Sequence, residues 1–331
     1  MTKVLIIGGG GMVGQKLVHQ LLKSNLTTGA PLDITLFDIA FPSTSPPSIK
    51  HVIGNLGDPA EIQKIATQHP DIIYHLAAIV SGEAEADFDK GWQVNMFTMW
   101  TLLEAIRAQK QESGGTYKPK IVFTSSIAVF GGPFPNKIDD EFLSAPQTSY
   151  GAQKATCELM LSDYSRKGFV DGISLRLPTI CVRPGKPNLA ASGFFSGIIR
   201  EPLNGHKAYL PVADTVRHWH ASPRAGANFL IHAATLDTAL LENRRALNLP
   251  GVSCTVAEQI EALRKAAGQS VVDLIVPRAD EAVAKIVDGW PQNFVPKRAL
   301  ALGFKAEANF DEIIATYLED DLPTLRSQKD W

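Results

Sequence analysis

Lys3-Val4-Leu5-Ile6-Ile7, followed at once by Gly8-Gly9-Gly10-Gly11-Met12-Val13-Gly14, decides the fold of this chain. The apolar run reads as a buried strand. The residues after it read as a helix that carries Val13, Leu17, Val18, Leu21 and Leu22. Between strand and helix, glycines at 8, 11 and 14 give the spacing G-x-x-G-x-x-G. Gly8 permits a tight turn, Gly11 lets a diphosphate approach the backbone, and Gly14 lets the helix pack on the strand. Free amides at the helix start then face the anion. The stretch reads as a dinucleotide cradle, with Met12 and Val13 also counted among the cofactor contacts.

Working outward, Asp33–Phe37 reads as a second strand with Asp38 at its carboxyl end. An acidic residue there accepts hydrogen bonds from the adenosine ribose and repels the extra phosphate of NADP, so Asp38 selects NAD. A third strand is expected over His51–Leu56, and Asp58-Pro59 has the pattern of a helix start. Asp71–Leu76 reads as the next strand. It ends in Ala77-Ala78, small enough for a cofactor to lie against. Asp87–Gln109 predicts one long helix, on which Asn95 interrupts an apolar stripe and requires a partner. Lys120–Thr124 reads as another buried strand, closed by Ser125-Ser126. Strands alternating with helices at this spacing predict an α/β fold, a doubly wound parallel sheet of the Rossmann type, with ligands at the carboxyl ends of the strands.

Tyr150-Gly151-Ala152-Gln153-Lys154 opens a further helix, with Ser149 as its expected N-cap and Gly168 as its stop. Tyr150 and Lys154 are four residues apart and share a helix face. A phenol titrating near 10 is a poor base at neutral pH. A neighbouring ammonium favours the phenolate and makes Tyr150 a usable one. A serine hydroxyl from a strand end orients the substrate oxygen.

These segments together resemble the extended short-chain dehydrogenases/reductases, in their epimerase/dehydratase branch. The similarity runs through Gly8–Gly14, Asp38, His75-Leu76-Ala77-Ala78, Val94-Asn95, Ser125–Gly131, Tyr150…Lys154 and Leu175-Arg176-Leu177-Pro178. It implies that Tyr150 is the general base, that Lys154 lowers its pKa and holds the nicotinamide ribose, and that Ser126, or the adjacent Ser125, donates to the substrate oxygen. It also places Asn55, Leu56, Leu76, Ala77, Ala78 and Asn95 at the cofactor, and Pro178, Thr179 and Ile180 under the nicotinamide. The chain departs from the family pattern at Gly54-Asn55-Leu56, where an aspartate is usual in the middle, and at Phe130, where tyrosine is usual.

Beyond the sheet, Pro184–Asn188 reads as a loop, residues 190–195 as the start of a helix, and Asp214–His220 as a basic, aromatic segment. The glycine stretch, Arg176–Asn188, Gly193–Gly205 and Asp214–Phe229 together resemble members of the branch that oxidise carbon 2 of a four-carbon sugar acid to the 2-keto acid. The substrate contacts expected for a small anionic sugar acid are Ser81, Ser126, Tyr150, Arg183, Ser192, Gly193, Arg217 and His218. His218 and His220 share a strand face, but no third ligand has metal spacing, so no metal is expected. A nucleotide-sugar epimerase or dehydratase, or a threonine-type dehydrogenase, uses the same Tyr/Lys pair and remains the alternative. A non-enzymatic NAD sensor is the remote one, since it would have no need of that pair.

The 331 residues carry a formal net charge of −2, which gives no pull toward nucleic acid or anionic membranes. Cys157, Cys181 and Cys254 show neither metal nor disulfide spacing. With no signal peptide before the first strand and no membrane-length apolar run, a cytoplasmic protein is expected. The expected division is a Rossmann domain over 1–178 with part of 212–240, and a smaller, partly interleaved substrate lobe from 179–211 and 241–331. That lobe should hold a strand over Val271–Val276. A homodimer, packed through Asp87–Gln109 and Tyr150–Arg166, is expected on family grounds.

Overall fold

The computed structural model describes residues 1–24, 26, 31–185 and 191–322. Its strands are β1 (Thr2–Ile7), β2 (Leu32–Asp38), β3 (Lys50–Ile53), β4 (Ile72–His75), β5 (Lys120–Ser126), β6 (Asp171–Leu177), β7 (Thr179–Ile180), β8 (Ala208–Leu210), β9 (Arg217–Ala221), β10 (Ala246–Asn248), β11 (Val252–Thr255) and β12 (Ile275–Pro277). The helices that matter for the site are α1 (Met12–Ser24), α2 (Pro59–Ala66), α3 (Ser81–Ala86), α4 (Phe88–Trp92), α5 (Thr98–Glu112), α6 (Ser149–Arg166), α7 (Gly193–Leu203), α8 (Pro223–Thr235) and α9 (Val256–Ala267).

The contacts divide the chain into two compact units. The first is Met1–Val129, Pro146–Arg176 and Ala227–Asn248; the second is Phe130–Ala145, Leu177–Gly226 and Leu249–Trp331. The first is built on a seven-stranded sheet in the order β10-β6-β5-β4-β1-β2-β3. β1 pairs in parallel with both β2 and β4, so the strand order reverses on either side of the glycine turn. Ile7 stands level with Phe37 and His75, and His75 with Phe123. The carboxyl ends of four strands therefore gather Gly8, Asp38, Ala77 and Ser126 on one edge. Ligands of doubly wound sheets bind at such a reversal. Ile7, Phe37, Ile73, Ile121 and Phe123 are buried against Ile62 and Ile65 of α2, Leu102, Leu103 and Ile106 of α5, and Leu161 of α6.

In the second unit β9 pairs in parallel with β7 and antiparallel with β11, and β8 pairs with β12. Phe195, Ile198 and Ile199 of α7 share a core with Leu263 of α9 and with Ile313, Ile314 and Tyr317 of the helix Phe310–Asp320.

Several boundaries differ from the sequence reading, each for a local reason. The third strand stops at Ile53, and the Gly54 amide makes the last bond to β2, at the Asp38 carbonyl, 3.0 Å away. The Asp87–Gln109 helix runs without a break from Phe88 to Glu112, but it widens into a π-helical turn over Gln93–Phe97 between α4 and α5. α6 is capped by Thr148, not Ser149: Thr148 has extended backbone, and its hydroxyl accepts from the Gly151 amide at 3.1 Å. Val271–Val276 begins as the short helix Gln269–Val272, and only Ile275–Pro277 is strand. Residues 241–248 lie in the first unit because β10 extends its sheet beside β6. Residues 130–145 lie in the second, where Ile138 bridges to Phe294 and Phe130 packs on Phe142 and Phe294. Residues 186–190, in the predicted Pro184–Asn188 loop and helix start, lie outside the described residues. Among the described residues no helix is long and apolar enough to cross a membrane.

Candidate active site

The glycine turn has two kinds of position. Gly8 has φ +85°, and a Cβ there would stand 2.5 Å from the Ala77 amide nitrogen. A Cβ on Gly14 would stand 2.5 Å from the Gly8 carbonyl, and one on Gly10 would stand 2.0 Å from the Ala40 carbonyl. Gly11 is exposed, and a Cβ there would meet only the Gly8 oxygen, at 3.4 Å. Gly8 and Gly14 thus close strand, turn and helix on each other, while Gly11 leaves the helix mouth open. The first turn of α1 carries no acidic residue that would compete with an anion.

Asp38 fastens this turn from the second strand. Its carboxylate accepts from the Gly10 amide at 2.9 Å and from the Ile39 amide at 2.7 Å. Each carboxylate oxygen keeps a lone pair for a ribose hydroxyl. Asn55 is exposed beyond β3 and accepts from the Gly57 amide at 2.9 Å. Leu56 packs against the apolar core beneath it. Leu76 and Ala77 donate their amides to the Ile7 carbonyl at 2.8 and 3.1 Å, which carries β4 on past its last strand residue.

Asn95 finds the partner its burial demands. Its side chain accepts from the Ile79 amide at 2.8 Å and donates to the Ile79 carbonyl at 3.3 Å and to Gln153 Oε1 at 2.8 Å. It ties the 76–80 loop, and through it Ala77, Ala78 and the first residue of α3, Ser81, to α6. The π-helical turn is what aims Asn95 there, and the Cys157 thiol holds the Asn95 carbonyl at 3.2 Å.

On α6, Lys154 is 2% exposed. Its Nζ donates to the Thr124 carbonyl at 2.8 Å and lies 4.7 Å from the Phe123 ring centre and 5.6 Å from that of Tyr150. Burial pulls the ammonium down from 10.5 to about 8, with Cys157 and Glu158 acting against it. Lys154 thus stays mostly charged at neutral pH, beside the Tyr150 phenol. The two serines at the end of β5 have different surroundings. Ser125 is buried and donates to Glu158 Oε1 at 2.5 Å. Ser126 is partly exposed, and its hydroxyl accepts from the Ala128 amide at 3.1 Å, which leaves its proton available.

In the second unit, Arg183 is held by α7. Its amide donates to Ser196 Oγ at 3.0 Å, and its carbonyl accepts from Arg200 at 2.8 Å. The guanidinium donates to the Ile180 carbonyl at 2.9 Å and to Ser192 Oγ at 3.0 Å, just before Gly193 opens α7. Pro178 precedes the β7 pair Thr179–Ile180, and Thr179 Oγ1 lies 2.6 Å from His218 Nε2. His218 is stacked on Phe195 at 5.1 Å, and burial pulls its pKa down to about 3, so it is neutral near pH 7. His220 Nε2 contacts Gln259 at 2.9 Å. Arg217 points elsewhere: it donates to the Ser253 carbonyl at 3.1 Å and pairs with Glu258, whose carboxylate also caps α9. The structure therefore brings Arg183, Ser192, Thr179, Ile180 and His218 together and leaves Arg217 out of that group.

A sequence profile of the NAD dependent epimerase/dehydratase family matches residues 4–222. The chain belongs to this family. Among its relatives, a D-erythronate dehydrogenase of Cupriavidus necator is 48% identical over 96% of this chain and 98% of that protein. A D-erythronate dehydrogenase of Haemophilus influenzae is 42% identical over 97% of this chain and 100% of that protein. A crystal structure described as a nucleoside-diphosphate-sugar epimerase from Agrobacterium tumefaciens superposes with a TM-score of 0.93. It is 52% identical and covers 97% of this chain and 95% of that one.

NAD is the cofactor of this family, and the residues present fit it. Gly8–Gly14 leave room for a diphosphate at the start of α1, and the Asp38 carboxylate stands at the second strand's end, where a 2′-phosphate would be repelled. Gln153, Glu158 and Arg176 also support this site, and the sequence assigned none of them a role. The one local signal for Glu158 is its place four residues beyond Lys154.

Proposed function

We propose that this chain oxidises the 2-hydroxyl of D-erythronate to the 2-keto acid, with NAD as acceptor. The observation that carries the reading is the pair of full-length D-erythronate dehydrogenases at 48% and 42% identity, together with a complete Tyr150/Lys154/Ser126 set in the first unit. Bound NAD supplies the hydride acceptor. Tyr150 takes the proton of the 2-hydroxyl, and the Lys154 ammonium favours its phenolate. Ser126 donates to the same oxygen as it becomes a carbonyl. Ser125 is engaged by Glu158, which supports Ser126 in this role. Arg183, with Ser192 and the amides at the start of α7, is the cation assigned to the carboxylate, because its guanidinium reaches Ser192 while that of Arg217 turns to the Ser253 carbonyl and Glu258. Neutral His218 orders this group through Thr179, and Ser81 is assigned to a substrate hydroxyl.

The Agrobacterium protein's description favours a second reading, a nucleotide-sugar epimerase, in which the same residues act without net release of reduced cofactor. Purified protein with excess NAD, offered D-erythronate, other aldonates, L-threonine and UDP-sugars, separates the two. Stoichiometric NADH with D-erythronate is expected. Turnover of a UDP-sugar with no NADH from any aldonate would establish the epimerase.

We also propose that the protein is a cytoplasmic homodimer. Phe88, Phe97, Trp100 and Leu159 are large apolar side chains exposed on the stretch from α4 to α5 and on α6, and they support pairing through those helices. Sedimentation at assay concentration tests this, and a monomer would refute it.

A further inference from the structure

Two consecutive residues at the end of β5 are gripped by two consecutive turns of α6. The Thr124 carbonyl accepts from Lys154 Nζ at 2.8 Å, and Ser125 Oγ donates to Glu158 Oε1 at 2.5 Å. Lys154 and Glu158 are four residues apart and stand one above the other on the helix that begins at Tyr150. Arg176 on β6 grips the Glu158 carboxylate with two nitrogens, Nε at 3.0 Å from Oε1 and Nη2 at 2.7 Å from Oε2, and itself donates to Asn248 Oδ1 at 3.2 Å. All of these groups belong to the first unit, and Glu158 is 6% exposed.

We propose that Glu158 is a positioning residue of this site: through Ser125 and one turn of α6 it fixes Lys154 against the end of β5, and its carboxylate is the countercharge for that buried ammonium. This rests on the Tyr150/Lys154 reading above and extends it to a carboxylate that touches neither substrate nor cofactor.

A buried ammonium with no countercharge destabilises the fold or gives up its proton. The groups facing Lys154 are few. From α6 come Tyr150, Cys157 and Glu158; from β4 comes His75; Arg176 of β6 lies behind Glu158. Burial pushes the Cys157 thiol up to about 12 and pulls His75 down to about 3. Both are uncharged at neutral pH, which leaves the Glu158 carboxylate among these groups. Arg176 shares that carboxylate, which limits how much of its field reaches Lys154. The Ser125 hydrogen bond keeps Oε1 turned toward β5. Without the Glu158 charge, Lys154 deprotonates at lower pH, and Tyr150 loses the cation that makes it a base.

The test reads Lys154 directly. The full-length protein is labelled with 13Cε-lysine and titrated by NMR, and the resonance missing in Lys154→Arg identifies the residue. The wild-type midpoint is expected near 8. Glu158→Gln should lower it by about 0.5–1 pH unit, with Glu158→Asp between the two. In Glu158→Gln the acid limb of kcat/KM should move to higher pH, which loss of packing alone would not produce. A folded Glu158→Gln with the wild-type midpoint overturns the proposal. If Glu158→Gln does not fold, Glu158→Asp decides, and a wild-type midpoint there overturns it equally. The titration needs no substrate. A shifted midpoint without activity on D-erythronate would remove the substrate reading and support the positioning role.

Discussion

The first unit builds its site from neighbours in sequence, and the second from residues brought together by a sheet and a helix. Gly8, Gly11 and Gly14 sit on one turn, and Tyr150 and Lys154 sit on one helix face. In the second unit Arg183 meets Ser192 nine residues on, while His218 meets Thr179 from another strand. The two arginines expected at the substrate separate: Arg183 joins that group, and Arg217 pairs with Glu258. Chemistry that depends on a spacing is fixed by the local backbone. Recognition that depends on which cation is already paired is fixed only by packing.

The largest effect should come from the helix-face pair. Tyr150→Phe should lower kcat by about 10³-fold or more, with NAD affinity measured by calorimetry nearly unchanged. Ser126→Ala should lower it by roughly 10²-fold, and Ser125→Ala by under about 10-fold. Equal losses at the two serines would erase the distinction drawn from Glu158.

The glycine turn gives the next contrast. Gly8→Ala places a Cβ 2.5 Å from the Ala77 amide at φ +85°, and should cost about 2–4 kcal/mol in denaturant unfolding. Gly11→Ala should unfold like the wild type and lose NAD affinity instead. Identical behaviour of the two variants would show that Gly11 does not face the cofactor.

In the second unit, Arg183→Ala should raise KM for the acid by roughly 10–50-fold, and Arg217→Ala by under about 3-fold. The reverse order would move the carboxylate to Arg217.

The smallest effect is on stability against pH. Burial holds both His75 and His218 at about 3 in the fold, against 6.5 for the ordinary side chain. Below 6.5 the unfolded chain binds protons that the native one does not, so stability falls as pH falls. Between pH 7.5 and 5.0 each histidine should remove about 2 kcal/mol, and His218→Gln should lose about that much less than the wild type over the same range. A pH dependence unchanged in His218→Gln would show that the fold does not lower the pKa of His218.

The doubly wound sheet and its glycine turn were legible because periodicity and glycine spacing are local properties. The π-helical turn within Asp87–Gln109 was not. The apolar stripe runs on through Met99, Leu102 and Ile106, and nothing in it announces a π-helical turn at Asn95. Thr148 and Ser149 are adjacent hydroxyls, and only the extended backbone at Thr148 decides between them as a cap. Glu158 and Arg176 are eighteen residues apart on different elements, and their pairing exists only once β6 lies beside β5. Asn55 stands where the family usually has aspartate, yet it keeps its turn by bonding to the Gly57 amide, so the departure costs the loop nothing visible.

The most direct measurement of the central claim is NADH absorbance with the purified protein, excess NAD and D-erythronate. One equivalent of NADH per equivalent of 2-keto acid, abolished in Tyr150→Phe, is the predicted result. No NADH from D-erythronate, with interconversion of a UDP-sugar under the same conditions, would contradict it.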